Sequence, residues 1–293
     1  MLTIGVQYLT GYAVATDAGN RNRAEWPPHP GRVFMALAAA YFETQPEAID
    51  SSAVAIWDAE GEALRWLEQQ GAPHIQAPDA DRRDVVDVYV PPNDMGPSKI
   101  TCVPMFRSNR QPRTFPKVRP IADTLHLYWP NATNVETHQD ALSRLCRKVI
   151  RIGHSSSLAR MWVAEVTSQI KANFIPAGAS EAGMRAERLR VAGPGSLDYL
   201  KQQYNGEAVE EFYNFWLRIT TSHGKVQKAA KVEFEEKFGQ SWKNSLSAPR
   251  SQRPKLSMTQ AYRRLGASSN KEAPSPSVFD HTLLILDKRE GPA

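Results

Sequence analysis

Apolar side chains recur at every second residue near the start of the chain, where Ile4, Val6 and Tyr8 alternate with smaller or polar neighbours. That period predicts an extended strand or hairpin over Leu2–Thr16, with a turn permitted at Gly11. The period then changes. Phe34, Leu37, Ala38 and Tyr41 fall at i, i+3, i+4 and i+7, one face of a helix, and the preceding Trp26-Pro27-Pro28-His29-Pro30 suits a helix start. Proline is tolerated there because its missing N–H has no intrahelical partner. A second helical stretch over Ala59–Gln70 stops at Gly71. Val86, Val88 and Val90 alternate with Asp87 and Tyr89 as a strand that ends at Pro91-Pro92. In Thr124–Trp129, Leu125, Leu127 and Trp129 face one way while Thr124, His126 and Tyr128 face the other.

The helix expected over His138–Ile152 carries two stripes. Leu142, Leu145, Cys146 and Val149 form one, and Arg144, Arg147, Lys148 and Arg151 repeat the same spacing two residues later. At about 100° per residue, that offset puts an apolar face and a cationic face on nearly opposite sides. Gly153 then serves as a left-handed cap, and Met161–Thr167 reads as a last strand. With Ala59–Gln70 set aside, the order is strand, helix, strand, strand, helix, strand. This βαββαβ pattern is that of an α+β, ferredoxin-like (RRM-like) core. Farther on, Ser196–Tyr204 and Glu207–Ile219 read as helices, and Thr220–Ser277 as a polar, basic loop. Val278–Leu286 reads as the first strand of a further unit. The expected organisation is a ferredoxin-like domain over 1–175 with a basic, thumb-like insertion over 93–120, a helical and basic loop extension over 176–276, and a truncated unit over 277–293.

The net charge is only +5, and 41% of the 293 residues are hydrophobic, enough to fill a core. Placement of the charge is more informative. Glu43–Asp94 holds twelve acids against three bases, whereas Met95–Ala122 holds six bases, Arg144–Arg160 five and Lys237–Lys271 eight, all three without an acid. Segregation of this kind builds a local positive field suited to a polyanion. Cys102 and Cys146 have no metal or redox spacing and are read as reduced thiols. With no signal peptide or membrane-length apolar run in view, a cytoplasmic protein without membrane contact is expected.

Arg107, Arg110, Arg113, Lys117 and Arg119 lie two to four residues apart, with Phe106 and Phe115 among them. Such cations neutralise phosphates and release counterions, while a phenylalanine stacks on an unpaired base. The basic loop Asn20–Arg23 adds Arg21 and Arg23. Arg147, Lys148 and Arg151 precede Gly153-His154-Ser155-Ser156-Ser157, whose hydroxyls and turn amides suit a phosphate. His29 and His154 are the histidines to weigh for acid–base work. No catalytic residue is assigned. Phosphate-loop, dinucleotide and zinc spacings are absent, so neither cofactor nor metal is expected.

Three blocks carry a resemblance: Arg23-Ala24-Glu25-Trp26-Pro27-Pro28-His29-Pro30-Gly31-Arg32, Arg110-Gln111-Pro112-Arg113-Thr114-Phe115-Pro116 and Gly153-His154-Ser155-Ser156-Ser157-Leu158. Together they resemble the fused Cas-five/Cas-six subunit of type I-G (formerly I-U) CRISPR systems. The resemblance implies that the N-terminal part grips the 5′ handle of CRISPR RNA and caps the Cascade complex for antiviral defence. An inserted thumb, here Met95–Ala122, would reach a Cas-seven-type backbone subunit; the large subunit and target DNA are further partners. The implied RNA-binding set is Arg21, Arg23, Arg107, Arg110, Arg113, Lys117, Arg119, Arg147, Lys148, Arg151, His154, Ser155 and Ser156. The Cas-six-like half of the family is a metal-independent endoribonuclease; the chain ends where that half is expected to begin, so its catalytic residues are not carried over. The alternative is that this chain itself cuts repeat RNA, with His29 or His154 as general base; a third is a protein-docking scaffold. RNP-type aromatic motifs do not come with the resemblance, so RNA contact is expected through loops and helix ends.

Overall fold

The computed structural model describes residues 1–17, 19–47, 49–83, 85, 87–90, 111–164, 171–178, 186–203, 205–238, 256 and 258–265. In chain order these form β1 (Leu2–Tyr8), β2 (Ala13–Val14), α1 (Pro30–Glu43), α2 (Ser51–Gln69), β3 (His74–Gln76), β4 (Ala80–Arg82), β5 (Asp87–Val90), β6 (Gln111–Thr114), β7 (Lys117–Pro120), β8 (Thr124–Trp129) and α3 (Val135–Lys148). They continue as β9 (Ala159–Val163), β10 (Phe174–Pro176), β11 (Glu187–Arg190), α4 (Ser196–Gln203), α5 (Gly206–Thr221), α6 (Gly224–Phe238) and β12 (Thr259–Arg264). The fold is α+β, with every strand pairing antiparallel.

The main sheet has seven strands in the order β11-β12-β10-β3-β8-β1-β9. Its register places Ile4 opposite both Leu127 and Val163, Val6 opposite Leu125 and Met161, and Ile75 opposite Leu127 and Phe174. Ile4, Val6, Leu125, Leu127, Ile75 and Met161 form one buried face, packed in the same cluster as Phe34 and Leu37 of α1, Leu64 of α2, and Leu142 and Leu145 of α3. Burial of a side chain of that size is worth about 1.5–3 kcal/mol, so this face is what holds sheet and helices together. The alternating residues point to the other side of the sheet. α5 and α6 form a hairpin around their own small cluster of Phe212, Ile219, Ala230 and Phe234.

Several expectations need correction. The second strand of the core is β3, not Val86–Val90; β5 instead pairs with β6 in a separate two-stranded ribbon, where Val88 and Tyr89 are exposed. Alternation alone could not reveal this, because a ribbon outside the core and a core strand share the same period, and only Ile75 of β3 finds buried neighbours. The segment Lys117–Pro120 joins the three-stranded sheet β2-β7-β4, so the far end of the expected insertion is ordinary sheet. Accordingly, Ala13–Val14 pairs with β7 and not with β1. The cationic helix ends at Lys148, four residues earlier than expected, since the β-branched Val149 leaves helical geometry with ψ 118°. Within Thr220–Ser277, expected as loop, the described residues include the end of α5, all of α6 and β12, and β10 to β12 extend the main sheet. The strand expected at Val278–Leu286 and Cys102 lie outside the described residues. Cys146 is a buried free thiol, pushed up by burial to about 12. No described helix is long and apolar enough to cross a membrane.

Candidate nucleic-acid interface

Parts of the three blocks of sequence, far apart along the chain, lie against one another: Gly153 against Arg32 and Phe115 against His154. The first block is organised by Glu25. Its carboxylate is buried and accepts Nε of Arg32 at 2.8 Å, a second guanidinium N–H of Arg32 at 2.7 Å, and the backbone N–H of His29 at 3.0 Å. This bidentate fork ties the loop before α1 to the helix itself and orients Arg32, whose side chain is 26% exposed. The hydrogen bonds to Glu25 hold the guanidinium charged, its pKa raised further. Arg82 of β4 donates to the carbonyls of Ala24 and Trp26, at 3.3 and 3.4 Å, and Trp26 Nε1 donates to the carbonyl of Pro78 at 2.9 Å. The segment is thus pinned on both sides.

The third block lies directly against the first. The chain leaves α3, makes a bridge between Arg151 and Leu158, and turns tightly between them, with Ile152 N–H donating to Ser157 O at 3.1 Å. Gly153 sits at φ +82°, and a Cβ there would come within 3.3 Å of Val14 O and 3.4 Å of Arg32 Cδ, so left-handed backbone and close approach both call for glycine. Ser157 is fully buried, and its hydroxyl accepts the N–H of Val14 at 2.7 Å. The second block closes the cluster: the Phe115 ring meets that of His154 edge-on at 5.0 Å. On the neighbouring strand, Lys117 Nζ lies 5.4 Å from the centroid of Tyr12. Between α1 and the chain after α3 runs a groove of about 190 Å³, lined by the cations Arg32, Lys148 and Arg151, by the carboxylate of Glu43, and by Gly153 and the apolar Met35 and Ala36.

Within the expected site set, Lys117, Arg151, His154 and Ser155 are exposed around this cluster, and Ser156 is half-buried with its hydroxyl 2.9 Å from His154 Nδ1. Arg21 and Arg23 are exposed on the hairpin tip between Thr16 and Ala24; Arg23 reaches Asp17 at 4.0 Å. Arg113 is exposed on β6, and Arg119 is half-buried opposite Asp81. Arg107 and Arg110 lie outside the described residues. The cationic helix face is not assembled as expected. Lys148 donates to Glu60 of α2 at 2.7 Å and to Thr44 Oγ1 at 3.0 Å, and Arg144 Nε lies 3.7 Å from the same carboxylate. Glu60 is completely buried, so these two cations neutralise an internal charge first; of the four, Arg147 and Arg151 are exposed.

Glu25 and Arg32 fall within the first block, but the sequence assigns neither them nor Glu60 a role in the site. Nothing in their spacing announces a buried ion pair, because the partners Glu60 and Lys148 are 88 residues apart. His29 is buried; burial lowers its pKa most, Glu25 pulls it up, Arg32 and Arg190 push it down, and Asp17 pulls it up. Its Nδ1 accepts the backbone N–H of Arg190 at 3.3 Å, which leaves it poorly disposed to take a proton from a bound substrate. Among the described residues, no group of three His, Cys, Asp or Glu side chains could hold a metal ion. The turn's own amides are largely engaged, Ile152 N–H with Ser157 O, His154 N–H with Val14 O and Ser157 N–H with His154 O, so what the cluster presents outward is chiefly the exposed Lys117, Arg151, His154 and Ser155.

No curated protein matches this chain. Among solved structures, a CRISPR protein from Archaeoglobus fulgidus aligns over 66% of this chain and 81% of that one, with 16% sequence identity and a TM-score of 0.27. A family model described as "CRISPR-associated protein, GSU0054 family" matches residues 5–98. The stretch that supplies Glu25, Arg32 and Glu60 is therefore similar to a CRISPR-associated family.

Proposed function

We propose that this chain binds CRISPR RNA, as the subunit of a type I-G Cascade complex that grips the 5′ handle of the guide and caps the backbone. The observation that carries this proposal is the contact between parts of the three sequence blocks, Gly153 against Arg32 and Phe115 against His154, with Lys117, Arg151 and His154 exposed beside them. The match of residues 5–98 to a CRISPR-associated family supports it. So does the strand order β9-β1-β8-β3, with helices between β1 and β3 and between β8 and β9, which suits a ferredoxin-like, RRM-like core. In this assignment Arg21, Arg23, Arg107, Arg110, Arg113, Arg119 and Arg147 supply further contacts to the RNA. The Cas-seven-type subunit, the large subunit and target DNA are its macromolecular partners in the cytoplasm.

Purification of the full chain followed by sequencing of the RNA that accompanies it tests the assignment. Enrichment of one CRISPR repeat-derived 5′ end is expected; RNA without such enrichment would overturn the handle assignment. Incubating the protein with repeat RNA in EDTA separates holding from cutting. Intact RNA is expected, whereas specific cleavage lost in His154→Ala would make the chain an endoribonuclease.

A further inference from the structure

The side of the main sheet opposite the helices carries a second set of residues that the sequence did not single out. β1, β8, β3 and β9 are in register such that Trp162, Gly5, His126 and Gln76 form one row across four strands. Thr3, Tyr128 and His74 form the next, and Arg160, Gln7 and Thr124 flank them on the other side. Gly5 has a specific purpose here. A Cβ at that position would overlap the Trp162 indole, so glycine is what lets the indole edge pack against β1. The indole carries the Arg160 guanidinium 5.3 Å from its centroid, and His126 meets it edge-on at 6.3 Å. His126 Nδ1 is fixed 2.7 Å from Gln76 Oε1, and the His74 and Tyr128 rings meet edge-on at 6.0 Å.

These aromatic groups are half-buried and none belongs to the hydrophobic core cluster. Beside them, Thr3 is buried and its Oγ1 has no hydrogen-bond partner among the described residues. Farther across the sheet the same face continues through Ile175, Arg263 and Arg188, because their register partners alternate with the buried Phe174, Tyr262 and Leu189. Arginines therefore stand at both ends of the row. Asp123, just before β8, accepts Gln7 Nε2 at 2.7 Å and Thr124 Oγ1 at 2.9 Å. From β9 to β12 there are five strand spacings, about 24 Å at ~4.8 Å each.

Flat aromatic faces and amide side chains in the middle, with guanidinium groups at the ends, match the chemistry of unpaired nucleobases linked by phosphates. We propose that this sheet face is a base-stacking site for single-stranded RNA, with Trp162 and Tyr128 as the stacking groups and Arg160 and Arg263 at the phosphates. The inference rests on the RNA-binding reading above and adds to it a site for bases, on the opposite side of the sheet from the helices. Two or three unstacked bases fit such a platform.

The test uses the full chain and an unstructured oligouridine RNA, its abasic counterpart of equal length, and a 4-thiouridine version for photo-cross-linking. Trp162→Ala and Tyr128→Ala are each expected to weaken binding of the oligouridine by about tenfold, with little change for the abasic strand and an unchanged salt slope. Cross-links are expected on peptides from β8 and β9. Because Trp162→Ala could disturb the sheet, Trp162→Phe serves as the second variant and should retain most of the affinity. Unchanged affinity in both alanine variants, or cross-links confined to the loops around Lys117 and His154, would overturn the stacking site while leaving the RNA-binding reading intact. Absence of any RNA binding by the wild-type chain would overturn both.

Discussion

Arg32→Ala should destabilise the fold much more than an ordinary surface substitution, since the charge it leaves behind is buried. Glu25 keeps 1% of its side-chain surface exposed and makes two of its three described hydrogen bonds to Arg32. Removing one partner of a buried ion pair typically costs about 3–5 kcal/mol, because the remaining charge is neither solvated nor paired. Arg32 itself is 26% exposed, so solvent already screens the pair in part, and the low end of that range, about 3 kcal/mol, applies. With a urea m-value of about 3 kcal/mol/M, that cost lowers the unfolding midpoint by about 1 M. The double variant Glu25→Leu/Arg32→Met removes both charges and should lie within about 1 kcal/mol of the wild type. Urea titration followed by circular dichroism measures all three proteins. A midpoint for Arg32→Ala within about 0.1 M of the wild type would refute the claim that Glu25 and Arg32 lock the first block.

Glu60→Leu should change stability by less than Lys148→Ala combined with Arg144→Ala, because the former removes the buried charge and the latter strand it; thermal melts of the two variants rank them. Stability should also fall as pH drops below neutrality. His29, His74 and His126 have folded pKa values lowered chiefly by burial, so once pH passes below about 6.5 the unfolded chain binds more protons than the native one. The loss is complete only below the folded values. His29→Asn should flatten the urea midpoint profile between pH 7 and 5, and an unchanged slope would contradict the assignment.

Elements whose stabilising contacts are local were legible in the chain. α1 follows from Phe34, Leu37, Ala38 and Tyr41, of which all four are buried, and α3 from Leu142, Leu145 and Cys146. β8 was legible for a related reason: Leu125 and Leu127 alternate with polar residues, and the period of a half-buried strand is strict. β3 was not, since it offers one apolar side chain, Ile75, in three residues, and its place in the sheet depends on β8 and β10. Val86–Val90 has the stronger pattern but the weaker claim to the core. The candidate site divides in the same way. Lys117, Arg151 and His154 were visible as exposed basic residues near turn signals, whereas the partnership of Lys148 with Glu60 is long-range and has no local signature. The sheet-face aromatics went unassigned because their spacing is simply that of a strand, and only the register across β9, β1 and β8 brings Trp162, His126 and Tyr128 together.

Salt dependence of RNA binding is the most direct test of whether the clustered loops hold a phosphate backbone. Affinity for a single-stranded handle RNA would be measured from low to moderate salt for the wild type and for Lys117→Gln/Arg151→Gln, both side chains being exposed at the cluster. Each lost phosphate contact on a single strand reduces the slope of log affinity against log salt by about 0.7. The double variant should therefore bind more weakly, with a slope shallower by about 1.4. Equal affinity and an equal slope for the two proteins would contradict RNA binding through this surface.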